Sequence, residues 1–255
     1  MTDVLVHRGP DDGGLYDSLV ANLPQGSAGA VLGQRRLSII DLGGGHQPLA
    51  NEDESIWITF NGEIYNYREI QTGLKQRGHT LRTDSDTEAI VHLYEDYGID
   101  CVRELRGMFA FAIWDARKQQ LFIARDRLGK KPLVYRHEAG NLWFASELKS
   151  LLQIPNAPRT IDPRAVDYFL NYQYVPHPFS ILEGYHKLPP AHRLLFKDNT
   201  ITVDRYWAPP YADDAPTSPG VPRTFRNYEE GKQQLRDTLT EAVRLRMRSD
   251  VPLGA

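Results

Sequence analysis

Four side chains in this sequence have types suited to binding or catalysis: a guanidinium, an amide, a carboxylate and a thiol. Arg36 carries a planar guanidinium, which pairs with a carboxylate in bidentate geometry. Asn61 precedes Gly62, where the missing Cβ allows a ligand to approach the backbone closely. Asp86 stands at the start of an apolar-periodic run, and Cys101 is the only thiol. These residues are the candidates for chemistry.

Each candidate also has an ordinary structural explanation. Asn-Gly is a strong hairpin-turn signal, and the dipeptide alone favours a turn. A lone arginine at a strand end, such as Arg36 or its neighbour Arg35, is usually solvated. An acid in the first turn of a helix, like Asp86, is favoured by the helix dipole. Cys101 lies in a short helix-like run and is interpreted as a small buried hydrophobe.

The elements next to the candidates are strands and capped helices. Residues 28–42 predict strand, turn and strand, and residues 56–60 predict an apolar strand leading into Asn61-Gly62. A helix is predicted over residues 67–76, ending at Gly78. The sequence Ser-Asp-Thr-Glu over residues 85–88 predicts a capping box that opens a helix ending at Gly98.

The rest of the chain alternates short strands with few helices. Strands are predicted over residues 107–114, 120–124, 131–135 and 141–145, followed by a short helix over 146–152. Residues 161–207, rich in Tyr and Pro, predict irregular structure. Five prolines in residues 208–223 predict a linker. Apolar residues at helical spacing then predict an amphipathic helix over 228–248.

The composition is that of an ordinary globular protein. The 255 residues are 41% hydrophobic and 25% charged, with a formal net charge of −3. We therefore expect no nucleic-acid or membrane partner, and a cytoplasmic location by default. One cysteine excludes a disulfide framework and a cysteine-rich metal site, and no metal ligands are predicted.

Six motifs occur in an order that resembles one family. Together they resemble the class II glutamine amidotransferase domain of glutamine-hydrolysing asparagine synthetases, over nearly the whole chain. The motifs are HRGPDDGG (7–14), RRLSIIDL (35–42), FNGEIYN (60–66), DSDTEAI (84–90), GMFAFAIWD (107–115) and RDRLGKKPL (125–133). Any one of them alone is weak, and their common order makes the resemblance specific.

The resemblance implies a fold and a domain organisation. The expected fold is α+β, an αββα sandwich of two mostly antiparallel sheets of the N-terminal-nucleophile hydrolase type. The amidotransferase domain would occupy residues 1–207 and the proline-rich linker 208–226. Residues 227–255 would begin an ATP-dependent asparagine synthetase domain with its first helix. A homodimer is possible for such a family member.

The resemblance also implies roles for individual residues. Asn61 and Gly62 would form the oxyanion hole, through the Asn side-chain amide and the Gly backbone N–H. Arg36 would bind the α-carboxylate of glutamine and Asp86 its α-ammonium, with Glu63 beside the pocket. The pocket wall would continue through Leu37, Ser38, Ile39 and Ile40. The loop over residues 125–131 would frame the site, unless it is only a solvated basic turn.

The sequence departs from the family at both ends. The family nucleophile is a cysteine at residue two whose own amine is the base, whereas this sequence opens Met-Thr-Asp. We expect truncation at both ends, no glutaminase activity of this chain, and no cofactor within it. Aspartate, ATP and Mg²⁺ would act only through the synthetase domain. Two alternatives stay open: a non-catalytic domain that binds a ligand or partner, and an amidotransferase acting on another carboxylate.

Overall fold

The computed structural model describes residues 1–18, 28–37, 41, 43–209, 225–247, 249–250 and 252. Eleven strands and five helices follow one another along this part of the chain. They are β1 (Asp12–Asp17), β2 (Val31–Arg36), β3 (Leu49–Ala50), β4 (Ile56–Ile64), α1 (Tyr67–Gln76), α2 (Asp86–Tyr97), β5 (Gly107–Asp115), β6 (Gln120–Arg125), β7 (Val134–Glu138), β8 (Asn141–Ala145), α3 (Leu148–Leu151), α4 (Pro163–Tyr172), β9 (His186–Lys187), β10 (His192–Lys197), β11 (Thr200–Arg205) and α5 (Tyr228–Arg246). Two 3₁₀ turns, Asp3–Leu5 and Gly98–Arg103, complete the described elements.

A six-stranded antiparallel sheet forms the centre of the described structure. Its strand order is β11-β10-β6-β5-β4-β3. The two longest strands, β4 and β5, pair over nine residues each, from Ile56 opposite Asp115 to Ile64 opposite Gly107. β5 is almost continuously apolar, and both strands are mostly buried, as expected for strands covered on both faces.

A second layer of strands covers one face of this sheet. It consists of the pair β1–β2 and the three-stranded sheet β8-β7-β9, all antiparallel. Buried apolar side chains fill the space between the layers, among them Leu32, Ala112, Ile123 and Tyr135. Among the described strands, β2 and β8 are each paired along one edge only. The second layer is therefore in two pieces.

Helices cover both outer faces. On one side α1 and α2 pack on the six-stranded sheet through a core that includes Leu74, Ile90 and Phe111. On the other side α3 packs on β7 and β8, with Leu151 among the buried residues. The order of layers is helix, sheet, sheet and helix. The predicted α+β class and αββα layering therefore agree with the described structure.

The helices around the site begin and end close to the predicted residues. The helix α1 spans the predicted range, and α2 ends at Gly98, which has a positive φ of 56°. The predicted capping box is only half formed. Ser85 Oγ accepts a hydrogen bond from Thr87 N at 3.1 Å. Glu88 instead accepts hydrogen bonds from the backbone N–H groups of Arg82 and Thr83 at 2.8 and 2.7 Å.

Two structural predictions were wrong. Asn61 and Gly62 do not form a turn, because β4 continues through both and pairs them with Ala110 and Phe109 of β5. Residues 161–207 are not irregular, because they contain α4 and the strands β9, β10 and β11. The pairing of β10 with β6 extends the central sheet. In both places long-range pairing overrides a local turn or proline signal.

The ends of other predicted elements lie partly outside the described residues. Of the strands predicted over 28–42, β2 is present, whereas residues 38–40 and 42 are outside the described part. Most of the predicted linker, residues 208–226, also lies outside the described part. The predicted final helix is present as α5, and its apolar positions Leu235, Leu239, Val243 and Met247 are all more than half exposed. Among the helices described, none is long and apolar enough to cross a membrane.

Candidate active site

A cavity of about 790 Å³ lies between the central sheet and the two pieces of the second layer. Strand β2 lines one side and β8 the other, while β4, β5 and the start of α2 also contribute. The cavity brings together all the predicted site residues that the structure describes, namely Arg36, Leu37, Asn61, Gly62, Glu63 and Asp86. Ser38, Ile39 and Ile40 lie outside the described residues.

Arg36 is the last residue of β2 and is buried, with 8% of its surface exposed. Its Nη2 donates a hydrogen bond to the carbonyl oxygen of Asp41 at 2.8 Å. Gly45 packs against the guanidinium, since a Cβ built on Gly45 would lie 2.3 Å from Nη2. The solvated arginine that a strand end usually carries is therefore not found at this position. A buried and anchored guanidinium is a strong partner for a ligand carboxylate.

Gly62 lies where β4 and β5 approach each other closely. A Cβ built on it would lie 2.3 Å from the carbonyl oxygen of Met108 and 2.8 Å from Cα of Phe109. Gly62 does not have a positive φ, so its backbone conformation does not call for glycine. The lack of room for a Cβ atom does. Strand packing by itself therefore requires glycine at this position.

The backbone N–H of Gly62 points away from β5. Phe109, its partner across the ladder, exchanges hydrogen bonds with Asp126 on the other side, so the two residues form a non-hydrogen-bonded pair. By the two-residue period of a strand, the N–H groups of Phe60 and Ile64 point the same way as that of Gly62.

Side chains satisfy the two neighbouring donors on this edge of β4. Gln47 Oε1 accepts from Phe60 N at 2.7 Å, and Asp86 Oδ2 accepts from Ile64 N at 2.9 Å. Among the described residues, the N–H of Gly62 between them and the side-chain amide of Asn61 have no hydrogen-bond partner. Both residues line the cavity, so these donors are available to a ligand oxygen.

Asp86 and Glu63 place two carboxyl groups beside these donors. Asp86, in the first turn of α2, is 5% exposed, and burial raises its pKa to about 6 against the lowering effect of the bond from Ile64. Burial and the neighbouring Asp86 charge raise the pKa of Glu63 to about 7. Near neutral pH Asp86 is mostly ionised whereas Glu63 is about half protonated, and a ligand ammonium would favour full ionisation of both.

Cys101 does not take part in this site. It is fully buried in the core between α2 and the central sheet, and burial raises the pKa of its thiol. A buried thiol with a raised pKa is a poor nucleophile. The interpretation of Cys101 as a small core residue is confirmed.

The loop that follows β6 is fixed by a residue that the sequence reasoning did not single out. The buried carboxylate of Asp126 accepts hydrogen bonds from four backbone N–H groups, those of Phe109, Leu128, Lys130 and Lys131, at 3.0 to 3.2 Å. The Arg125 guanidinium donates to three carbonyl oxygens, of Gly129, Lys131 and Leu188. These bonds order the loop, and its last residue, Lys131, lines the cavity.

Gln47 was also missed. It is 7% exposed and links two walls of the site, because its Nε2 donates to Thr87 Oγ1 at 3.2 Å while its Oε1 accepts from Phe60. Its position before Pro48 is the one local feature of the sequence, and that feature does not distinguish a buried structural glutamine from a surface one. Its role depends on contacts 13 and 40 residues away.

The family of the chain is shown by sequence comparison. Residues 1–207 match the family model described as "Glutamine amidotransferase domain". The chain therefore belongs to the glutamine amidotransferase domain family.

Curated relatives refine this assignment. The chain is 39% identical to asparagine synthetase [glutamine-hydrolyzing] 1 of Bacillus subtilis over 259 residues, covering 100% of this chain and 37% of that protein. It is 37% identical to putative asparagine synthetase [glutamine-hydrolyzing] 2 of Methanocaldococcus jannaschii over 272 residues, covering 100% of this chain and 50% of that protein. The chain thus spans half or less of these relatives. The resemblance predicted from six ordered motifs is confirmed.

Proposed function

We propose that this chain binds glutamine in the cavity between β2 and β8, as the amidotransferase domain of an asparagine-forming enzyme of the N-terminal-nucleophile type. The observation that carries the proposal is the pair of adjacent donors on the edge of β4. The N–H of Gly62 stands without a partner, among the described residues, between two satisfied neighbours and beside the Asn61 amide. Such donors stabilise the oxyanion that forms when an amide carbonyl is attacked.

The charged groups around the donors suit the other end of a glutamine molecule. The α-carboxylate of glutamine would pair with the buried Arg36 guanidinium, which Asp41 and Gly45 hold in place. The α-ammonium would be bound by Asp86, with Glu63 adding negative charge nearby. The side-chain amide would then point toward Asn61 and Gly62. The wall beyond Arg36 would be continued by Leu37, Ser38, Ile39 and Ile40.

The nucleophile has to come from outside these 255 residues. Their one cysteine is buried in the core and cannot serve as the attacking thiolate. The cavity lies between β2 and β8, each of which has one edge without a partner among the described strands. An additional strand in this position would join the two pieces of the second layer. We infer that such a strand carries the cysteine, and that the 255-residue polypeptide by itself binds glutamine without cleaving it.

The full reaction is proposed by extension from the relatives, which are named for glutamine-dependent asparagine synthesis. Ammonia released from glutamine would amidate aspartate in a synthetase domain that begins with α5. ATP and Mg²⁺ would act in that domain. An acceptor other than aspartate is the alternative, and it is decided by residues outside the glutamine cavity.

Calorimetric titration with glutamine tests the binding site. We expect saturable binding that Arg36→Gln weakens by about tenfold or more, because a hydrogen bond to a charged group contributes roughly 1.5–3 kcal/mol. Arg117→Gln is the matched control, since Arg117 is an exposed arginine that pairs with Asp53 and does not line the cavity. A folded protein that binds no glutamine, or an Arg36→Gln variant that binds as well as the control, would contradict the proposal.

Glutamate release separates hydrolysis from simple binding. The polypeptide alone is expected to release no glutamate from glutamine. Addition of a synthetic peptide that begins Cys-Gly-Ile tests whether a strand can supply the missing nucleophile. Release that requires both the peptide and Asn61 assigns the hydrolytic role. Glutamine binding without release under either condition would favour the second candidate, a non-catalytic glutamine-binding domain, for which the buried Cys101 is the supporting observation.

A further inference from the structure

A second group of polar side chains lies away from the cavity, where the chain segments around α2 meet. Glu52 follows β3, His79 follows α1, and His92 lies within α2. Each offers one ligand-type atom, and these three atoms lie within 4.8 Å of one another. None of the three residues lines the glutamine cavity. The group therefore has no part in the site proposed above.

A second acid lies between the two imidazoles. Glu95 Oε2 is 2.7 Å from Nδ1 of His92 and 3.7 Å from Nδ1 of His79. The other oxygen of Glu95 accepts a hydrogen bond from Asn51 Nδ2 at 2.8 Å, which fixes the carboxylate. The same Nδ1 of His92 also faces Glu52 Oε2 at 3.8 Å. One nitrogen of each ring and two carboxylates thus converge on one small volume.

The environment of the other ring nitrogen of His92, Nε2, is a second observation that bears on this group. The His92 side chain is 1% exposed, and its Nε2 has no hydrogen-bond partner in the part of the chain that the structure describes. It faces Glu88 Oε1 at 3.6 Å. The Glu88 carboxylate is held in place by N–H groups of Arg82 and Thr83 and by the Thr83 hydroxyl at 2.6 Å. A carboxylate acceptor is therefore fixed opposite this buried imidazole nitrogen, just beyond hydrogen-bond distance.

This arrangement is the one in which a histidine binds a metal through one nitrogen and donates from the other to a carboxylate. We propose that His79, His92, Glu52 and Glu95 form a binding site for a divalent cation, with Zn²⁺ as the best match for two imidazoles and two carboxylates. On binding, the proton between His92 Nδ1 and Glu95 is released to solvent, and the proton that stays on the ring lies on Nε2, facing Glu88.

The cation joins segments that are distant in sequence. Ligand atoms bound tetrahedrally to one zinc ion at about 2.0–2.2 Å lie roughly 3.4 Å apart. The pairs at 3.7 and 3.8 Å therefore have to approach each other, and the hydrogen-bonded His92–Glu95 pair at 2.7 Å has to open. Glu52 is the ligand able to move, because its side chain is 40% exposed and lies in the turn before β4. Bound metal would then connect that turn to the end of α1 and to α2. The expected consequence is a higher midpoint of thermal unfolding in the presence of the metal.

The test uses the chelator-treated protein with Zn²⁺ in calorimetry and Co²⁺ in visible absorption. Wild type is expected to bind one Zn²⁺ per chain, to give the intense absorption of four-coordinate cobalt, and to unfold at higher temperature with Zn²⁺. Glu52→Gln is expected to weaken binding about tenfold or more. Glu54→Gln, the same change two residues along the same exposed turn, is expected to leave binding unchanged. His79→Gln is a second variant that should abolish the cobalt spectrum.

Two results would overturn the proposal. One is the absence of saturable zinc binding by folded wild type up to about 1 mM, the weak end of specific affinities. The group would then be an ion-paired cluster only. The other is zinc binding that Glu52→Gln and His79→Gln leave as strong as Glu54→Gln does, which means an adventitious ion held elsewhere on the surface. Circular dichroism of each variant shows whether loss of binding reflects loss of folding.

Discussion

Replacing Gly62 by alanine tests how closely β4 and β5 approach at the candidate oxyanion position. The added Cβ would lie 2.3 Å from the Met108 carbonyl oxygen, 2.8 Å from Phe109 Cα and 2.8 Å from the Phe60 ring. Two of these contacts are to backbone atoms, so relief requires the central strand pair to separate. Overpacking of a core usually costs about 1–3 kcal/mol. Because side-chain rotation cannot remove the clash, we expect a loss of about 2–3 kcal/mol in the free energy of unfolding.

Gly73→Ala is the matched control. Gly73 lies in α1, and a Cβ built there would meet only Nη1 of the flexible Arg77 side chain, at 3.2 Å. Glycine is worse than alanine inside a helix by roughly 0.5–1 kcal/mol, so this variant is expected to gain stability. Urea unfolding should show a lower midpoint for Gly62→Ala and a higher one for Gly73→Ala, with similar slopes. Equal midpoints for Gly62→Ala and wild type would refute the dependence on strand packing.

Charge and burial lead to three further predictions. The pKa of Glu63 is raised from 4.5 to about 7, so its contribution to stability is present below about pH 4.5 and is lost as the pH rises through about 7. Glu63→Gln should therefore be more stable than wild type at pH 8, by on the order of 1 kcal/mol after allowance for solvent screening; a variant with the same pH dependence of unfolding as wild type would contradict this. Asp126→Asn removes one of the two charged oxygens that accept four backbone N–H groups, and thermal unfolding should show a loss of about 2–3 kcal/mol; an unchanged midpoint would count against the loop's dependence on this carboxylate. Cys101 should react with iodoacetamide only after denaturation, because it is fully buried, and rapid labelling of the native protein would show that the thiol is accessible.

Much of the local structure could be predicted because the deciding signals are local. The helix α1 has the predicted bounds, and α2 ends at a glycine with positive φ, as its sequence indicates. Asn61-Gly62 is the instructive failure, since its sequence is that of a turn whereas β5 pairs with it across the ladder. The strands β10 and β11 were missed for a related reason. Their place beside β6 is decided by pairing between segments far apart in sequence, which no short window of the chain contains.

The site was predictable only through the order of the motifs. Arg36, Asn61 and Asp86 each fit an ordinary structural role when taken alone, and the structure brings them to one cavity wall. Gln47, which satisfies the donor next to Gly62, belongs to no motif and depends on a contact with α2. The proposed cation site is similar. Its ligands come from three segments at irregular spacing, and only the packing of α1 and α2 brings them together.

The N–H of Gly62, unpartnered among the described residues, is a consequence of where β3 ends. β3 pairs with β4 only at Trp57 and Ile58, so the edge of β4 beyond them has no described strand to satisfy its donors. Gln47 and Asp86 supply acceptors for the donors on either side. Proteins rarely leave a backbone N–H without a partner inside the fold, and the third donor faces a cavity that also contains an anchored guanidinium and two acids. In the proposed function, an incoming carbonyl oxygen would accept from this third donor. The short β3 leaves the N–H of Gly62 without a strand partner, and the glycine at position 62 lets β4 and β5 pair closely. Together these two features hold an available donor rigidly in the longest strand pair of the sheet.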